Sequence, residues 1–477
     1  MFSVKLEKNL QQATITSEHL SLIRERFSVV NPTYGRNIHA NRFAPKRLYA
    51  ITPAGKFDVG LYGSIVDFLN LEGYTISLQK EIIDIYNPGF LNFKIQDLNL
   101  SLREYQTNSI NIALQKGRGV IVLPTGAGKT LTIATLLNTI RHYKPDSKFL
   151  IIVPTIQLIK QTYTDFIEYG INPDIISKWS GDDAPNLNCN IIIAGLQILQ
   201  SQSEKYIDYL TQIDVLVVDE CHKLRKKNEF NNIIKSIKTP HKFGFTGTMP
   251  PDLLDQWNII GKLGPVLYEK QSIDLRENKQ IANICIQILH FNYISKPIFS
   301  APNSFSPTKA FDEEIEFIIN SEKRNLKIAA ICNNVDKNTL VVVERITHGE
   351  MLLNALQAIC PSKKIFFIQG SVDVTAREEI RSLMETEHNI ICVAISKIFS
   401  EGINIKNLHY IVFAASGKAK IKILQTIGRG VRLHPLKNML YIFDIADSLR
   451  YSSKHLKERI KLYDTEKIQY KETEIQI

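Results

Sequence analysis

The sequence predicts an α/β protein with two parallel-sheet domains in tandem. A small α+β module precedes them and a short helical tail follows. Three observations carry this prediction. Short apolar runs alternate with stretches of helical length twice along the chain. They fall at 120–123, 149–153, 191–194, 213–218 and 242–245, then at 339–343, 364–368, 390–394, 410–414 and 439–443. Strands separated by helices pair in parallel through crossovers. The first series also carries a glycine-rich turn after its first strand and an acidic pair after its fourth, and the second series has neither. The boundaries read as 1–95, 96–275, 276–448 and 449–477.

In the module, alternation in Ala13-Thr-Ile-Thr16 and a helix-like stretch over 17–27 suggest mixed structure. Between Asn31 and Gly60, Arg36, Arg42, Lys46, Arg47 and Lys56 stand against one acid, Asp58. Tyr34, Phe43, Tyr49 and Phe57 are interleaved with them. Such interleaving suits nucleic-acid backbone contact. It suits a solvated face over a small aromatic core equally well.

The first strand of the first domain, Val120–Leu123, runs into Pro124-Thr125-Gly126-Ala127-Gly128-Lys129-Thr130. Gly126 and Gly128 allow a tight turn that aims backbone N–H groups at an anion. Lys129 supplies a charge for the β- and γ-phosphates and Thr130 a hydroxyl for a metal. A helix beginning near Lys129 presents its positive end to the same anion. The strict phosphate-loop pattern wants glycine at 123, where this chain has leucine. The fourth strand ends in Asp219-Glu220-Cys221-His222. Ligands of open α/β sheets bind at the carboxyl ends of strands. Asp219 is expected to hold magnesium with Thr130, and Glu220 to position and deprotonate the attacking water. Turn and acid pair together imply hydrolysis of a nucleoside triphosphate, with ATP and Mg2+ as cofactors. Two α/β domains sharing one phosphate loop place the nucleotide in the cleft between them.

The 477 residues are 44% hydrophobic and 22% charged, a globular balance with ample core material. A net charge of +10 suits a polyanionic partner as well as solubility. The six cysteines lack C-x-x-C spacing, which argues against a zinc site or disulfide framework and for a reducing, cytoplasmic compartment. No signal-peptide core and no apolar run of membrane-spanning length is present. In the tail, Arg450, Lys454, Lys457, Arg459 and Lys461 stand against Glu458. Nothing resembles a coiled coil, so a monomer is expected.

Taken in order from about 100 to 435, the motifs resemble those of the superfamily-2 helicases, whose domains are RecA-like. Leu102-Arg-Glu-Tyr-Gln106 is similar to the adenine-reading glutamine motif. Val153-Pro154-Thr155 with Gln161, and Ile193-Ala-Gly-Leu-Gln197, resemble backbone-contacting motifs, with Ala194 where the second usually has a hydroxyl. Thr246-Gly247-Thr248 resembles the motif that couples the triphosphate site, through His222, to the nucleic-acid site. In the second domain the segments 343–349, 369–377, 399–404 and 425–432 resemble motifs IV to VI. By that resemblance His348, Gly370 and Arg377 touch nucleic acid, while Gly402, Asn404 and Gln425 join the nucleotide site. Arg429 and Arg432 lie three residues apart on one helical face, and as arginine fingers they would stabilise transition-state charge. Thr375 and Glu378 also form a local capping box.

Within the superfamily the overall look is that of phage recombination and fork-remodelling helicases. That resemblance implies 3′-to-5′ unwinding, fork regression and Holliday-junction migration on single-stranded, duplex and branched DNA. A duplex translocase without strand separation and an RNA helicase are the alternatives. The module is expected to hold duplex or junction DNA. Deleting residues 1 to about 90 is then expected to spare much of the ATPase and abolish junction processing. The segment 295–315 reads as a loop without assigned function.

Overall fold

The computed structural model describes residues 3–7, 11–31, 34, 45–74, 80–90, 92–181, 184–202, 204–224, 230–295, 297–300, 309–370, 372, 374–396, 405–414, 427–428, 437 and 439–477. The chain forms two compact units, one over 1–124 and 128–270 and the other over 125–127 and 271–477. No helix among the described residues is long and apolar enough to cross a membrane.

The first unit opens with the α+β module. Strands β1 (Ser3–Leu6), β2 (Gln12–Thr16) and β5 (Lys56–Asp58) form an antiparallel sheet, and β3 (Ser28–Val30) pairs with β4 (Arg47–Tyr49). Alternation along β2 turns Ala13 and Ile15 into the core and Thr14 outward. The seven-stranded parallel sheet of the first unit contains β6 (Gly119–Val122), β7 (Phe149–Val153), β8 (Ile176–Trp179), β9 (Ile191–Gly195), β10 (Val215–Asp219), β11 (His241–Thr246) and β12 (Val266–Glu269). Its order is β12-β6-β11-β10-β7-β9-β8. Helices cover both faces of such a sheet, so its central strands are apolar throughout. Every residue of β6, β7 and β9 is buried.

The module is joined to this sheet domain by an interface that mixes backbone contact with buried charge. Gly60 lies against the carbonyls of Ile260 and Gly261, where any Cβ would collide with main chain. Phe27 packs on Trp257 with ring centroids 5.5 Å apart. Lys262 Nζ forms an ion pair with Asp58. The fully buried Lys242 donates to Gln11 Oε1 at 2.6 Å and to the Ile234 carbonyl at 2.9 Å. Arg118 donates to the carbonyls of Ile85 and Lys262 at 3.1 and 3.0 Å. These contacts weigh against the expectation that deleting residues 1 to about 90 spares much of the ATPase. Deletion would uncover Trp257 and Ile260 and strip buried cations of acceptors.

The seven-stranded parallel sheet of the second unit has β13 (Asn283–Asn292), β14 (Thr339–Val343), β15 (Lys364–Ile368), β16 (Ile390–Ile395), β17 (Tyr410–Phe413), β18 (Met439–Asp447) and β19 (Tyr470–Gln476). Their order is β15-β16-β14-β17-β18-β13-β19. Two expectations change here. The tail is a helix only over Arg450–Thr465, and the chain then enters β19 at the sheet edge beside β13. Of the 295–315 segment, residues from Lys309 belong to a helix that runs to Asn320. Its Glu314, fully buried, accepts from the amides of Tyr451 and Ser452 and so caps the tail helix.

Asp58→Ala leaves the Lys262 ammonium buried without its counter-ion, which costs about 3–5 kcal/mol. Denaturant unfolding of the full chain should show a lower midpoint for the first unit. An unchanged midpoint would mean that the ion pair contributes nothing to holding the module.

Candidate nucleotide and nucleic-acid sites

Three strand ends and one helix start build the first site. β6 delivers Leu123 and Pro124, and the turn that follows has Gly126 and Gly128 at φ of +86° and +78°. Such angles favour glycine, so the turn closes without strain. Gly128 starts the helix Lys129–Tyr143, whose first N–H groups point into the turn. Ala127 is fully buried, while Thr125 and Thr130 are half-buried. Lys129 Nζ donates to the Leu123 carbonyl at 3.5 Å and lies 3.8 Å from Glu220 Oε1. Leu123 thus contributes its carbonyl where the strict pattern has glycine.

Gln106 sits almost fully buried beside the turn. Its Oε1 accepts from the Arg103 amide at 2.8 Å, and its Nε2 donates to the Gly128 carbonyl at 3.3 Å. The amide therefore caps its own helix and braces the phosphate turn.

β10 delivers the acid pair. Asp219 accepts from the Glu220 amide at 2.9 Å. Burial, reinforced by the neighbouring Glu220 charge, pushes the Asp219 carboxyl up to about 6. Glu220 adopts φ +50°, a left-handed backbone that a non-glycine residue reaches at a cost of about 1–3 kcal/mol. That backbone turns the Glu220 carboxylate back toward Lys129 and His222. His222 Nδ1 lies 3.1 Å from Glu220 Oε2 and 3.0 Å from Thr246 Oγ1. Thr246 Oγ1 in turn donates to the Thr248 carbonyl at 3.0 Å and faces the Thr248 amide at 3.3 Å. One polar chain thus runs from Lys129 to Thr248, past Gly247. The sequence motifs flagged each member, but not that they touch.

A second site lies at the carboxyl ends of β7 and β9. Pro154, Thr155 and Gln197 line a cleft of about 160 Å³ together with Ser180, Gly181 and Ser201. Thr155 also caps the helix Ile156–Glu168 by accepting from the Leu158 amide at 3.4 Å. Gln161, on that helix, is not among the lining residues. Ser180, Gly181 and Ser201 carried no sequence signal. Pro154 and Leu196 line both this cleft and a recess against Asp219 and Glu220. The two sites therefore back onto one another.

Comparison with known proteins agrees with this architecture. Residues 99–251 match the family described as "Type III restriction enzyme, res subunit", and residues 322–434 match "Helicase conserved C-terminal domain". The chain is 29% identical over 450 residues to the ATP-dependent DNA helicase uvsW of Enterobacteria phage T4, covering 86% of each chain. It is 23% identical to the DNA 3′-5′ translocase XPB2 of Sulfurisphaera tokodaii, covering 75% of this chain and 83% of that one. A fragment of a putative HsdR subunit of a type I restriction enzyme from Vibrio vulnificus shares the fold. Its TM-score is 0.60 and its identity 18%, over 86% of this chain and 73% of that one.

The chain belongs to the superfamily-2 helicases. It is an ATP-hydrolysing helicase with two RecA-like sheets.

In the helicase's second unit, His348 is sealed in the interior. It is 1% exposed, and its Nε2 faces Arg324 Nη1 at 3.3 Å. Burial, helped by the Arg324 charge, pushes it down to about 3, so the ring is neutral. His348 lies buried against Arg324. That arginine forks Asp447 at 2.7 and 2.9 Å, and Tyr293 donates to the same carboxylate at 2.7 Å. Arg377 donates to the carbonyls of Gln369 and Gly370 at 3.2 and 2.9 Å, fixing the turn before its own helix. In the module Lys46 is exposed. Arg47 is tied to Glu25 at 3.1 Å and to Ser28 Oγ at 2.9 Å. Tyr49 stacks under Arg24 and Phe57 is core. Arg36, Arg42, Gly402, Asn404, Gln425, Arg429 and Arg432 lie outside the described residues.

Glu220→Gln keeps the volume and the left-handed turn but removes the base. ATP turnover should fall by about 10²–10⁴-fold, while nucleotide binding stays within a few-fold of the parent. Turnover at the parent rate would remove Glu220 from the reaction.

Proposed function

We propose that the helicase is a 3′-to-5′ DNA motor that remodels branched DNA by fork regression and Holliday-junction migration. It would act in replication, recombination and repair. The observation that carries this reading is the shared wall of Pro154 and Leu196. A cleft for a phosphodiester strand and the acid pair that drives hydrolysis meet at the same two residues. The name of the phage relative, an ATP-dependent DNA helicase matched over most of both chains, favours DNA over RNA. The archaeal relative's name supplies the polarity.

In this account the phosphate turn and Lys129 hold the triphosphate, with the Gln106 amide at the adenine. The residues fit a divalent cation. Asp219 is a carboxylate beside a second acid, and burial together with the Glu220 charge pushes it toward protonation. Thr130 and Asp219 would hold magnesium, which neutralises phosphate charge when bound. Glu220 takes the proton of the attacking water. A change of charge at Glu220 alters what His222 Nδ1 bonds, and His222 hands that change to Thr246. Thr246 closes the turn that precedes the helix Leu253–Leu263, the element on which the module rests. Motion at the acid pair thereby has a path to both the strand cleft and the module. By the motif resemblance, Arg429 and Arg432 would act as arginine fingers, and Gly402, Asn404 and Gln425 as nucleotide-binding residues. The motor works as a monomer.

A second reading, duplex translocation without strand separation, is favoured by the translocase name of the archaeal relative and by the restriction-enzyme family match. The two readings differ in product. A motor that remodels branches converts a fork into a four-way junction, whereas a pure translocase displaces a triplex strand and leaves forks alone.

Steady-state ATPase across single-stranded DNA, duplex DNA, a four-way junction and RNA, with Lys129→Ala as the blank, tests the proposal. Stimulation should be strongest with branched or single-stranded DNA and near background with RNA. Strongest stimulation by RNA would overturn the substrate assignment.

A further inference from the structure

The helix Arg450–Thr465 resolves the five cations of the tail into two groups. Arg459 is buried, and its guanidinium grips both oxygens of Asp444, Nε to Oδ2 at 2.9 Å and Nη2 to Oδ1 at 2.8 Å. Tyr463 donates to the same carboxylate at 2.9 Å. That charge is spent in the core. Arg450, Lys454, Lys457 and Lys461 are all exposed. They fall at i, i+4, i+7 and i+11, so at about 100° per residue they share an arc of roughly 60°. Arg459 lies half a turn away on the opposite side.

Among the described residues, the packing that bears on this stripe is slight: Arg450 lies over the Tyr451 ring, 5.4 Å from its centroid. Lys461 pairs with Glu458 at 3.2 Å, and Asp464, one turn beyond, accepts from the Tyr470 hydroxyl. Arg450, Lys454 and Lys457 have no ion-pair partner among the described residues. Their spacing sets like charges at i, i+3 and i, i+4, which weakens a helix. Arg450 also stands in the first turn, at the positive end of the helix dipole. The helix tolerates both because its other face is anchored. Glu314 caps its start, Arg459 and Tyr463 clamp Asp444, and Leu456 and Leu462 are buried.

A rigid row of cations about 16 Å long, with acids only at its far end, is complementary to consecutive backbone phosphates. The helix follows β18 directly, so its first turn lies at the carboxyl edge of the second sheet. β14 delivers Glu344 and Arg345 to that same edge.

We propose that Arg450, Lys454, Lys457 and Lys461 form a sequence-independent phosphodiester contact for the nucleic-acid strand on which the motor works. This inference rests on the reading of the chain as a DNA motor.

The test is a salt titration of DNA binding by the full chain, read by fluorescence anisotropy with a labelled single-stranded and a labelled duplex oligonucleotide. One variant carries Arg450→Gln, Lys454→Gln, Lys457→Gln and Lys461→Gln. A control with the same change in net charge carries Lys5→Gln, Lys116→Gln, Lys323→Gln and Lys327→Gln, four exposed lysines elsewhere. Each phosphate contact contributes about 0.7 to the salt slope on single strands and about 0.9 on duplex. The stripe variant should therefore lose about 3 from its slope. Its thermal midpoint and DNA-free ATP turnover should stay as in the parent, and the control should lose less than 1. Slopes equal for the stripe variant and the control would overturn the stripe and leave the motor standing. Absence of any DNA binding or DNA-stimulated turnover in the parent would overturn the motor reading, and the stripe with it.

Discussion

The left-handed backbone at Glu220 is the constraint on which the active centre depends. A strand that simply ran on from Asp219 would alternate its side chains, sending the next carboxylate to the opposite face of the sheet. The turn at φ +50° brings Glu220 within reach of Lys129 on one side and His222 on the other. Strain of this kind persists only where the surroundings over-determine it. Here Val215–Val218 of β10 are all buried, and Cys221, the residue after Glu220, is fully buried. The cost falls on the residue proposed to take the proton of the attacking water.

The second unit solves a different problem with a similar device. β18 carries two buried carboxylates, Asp444 and Asp447, and each is met by an arginine and a tyrosine. Removing one partner of such a pair is costly because a charge is left stranded in a poor solvent. These pairs fix the positions of the helices 322–333 and 450–465, which carry Arg324 and Arg459. His348 belongs to the same network, which explains why a residue inside a helicase motif is sealed from solvent.

Most of the sheet framework was legible because a doubly covered parallel strand is apolar throughout. Thr339–Val343 and Val215–Val218 can hardly be read otherwise. The strands that escaped lie where that signature fades. β19 is an edge strand, mostly exposed, and its sequence Tyr-Lys-Glu-Thr-Glu-Ile-Gln reads as a polar tail. β8 is a short edge strand and β13 mixes Gln and His into its apolar run. At the site, residue types at fixed spacing pointed to Lys129, Asp219 and Glu220, since phosphate and water chemistry admits few substitutes. Spacing could not show that Gln106 is tied to its own helix start, that His348 is buried, or that Arg47 is paired with Glu25. Those outcomes depend on partners distant in the chain. The five cations of the tail show the same limit, because only packing separates the buried Arg459 from its four exposed neighbours.

The central claim is that hydrolysis reaches the rest of the motor through Glu220, His222 and Thr246. A double-mutant cycle on DNA-stimulated turnover, with His222→Ala and Thr246→Val singly and together, tests it most directly. Residues acting as one chain should show an interaction energy of at least about 1 kcal/mol, with the double variant little worse than either single one. Losses that simply add, within about 0.3–0.5 kcal/mol, would mean that the contacts are structural neighbours and carry no signal.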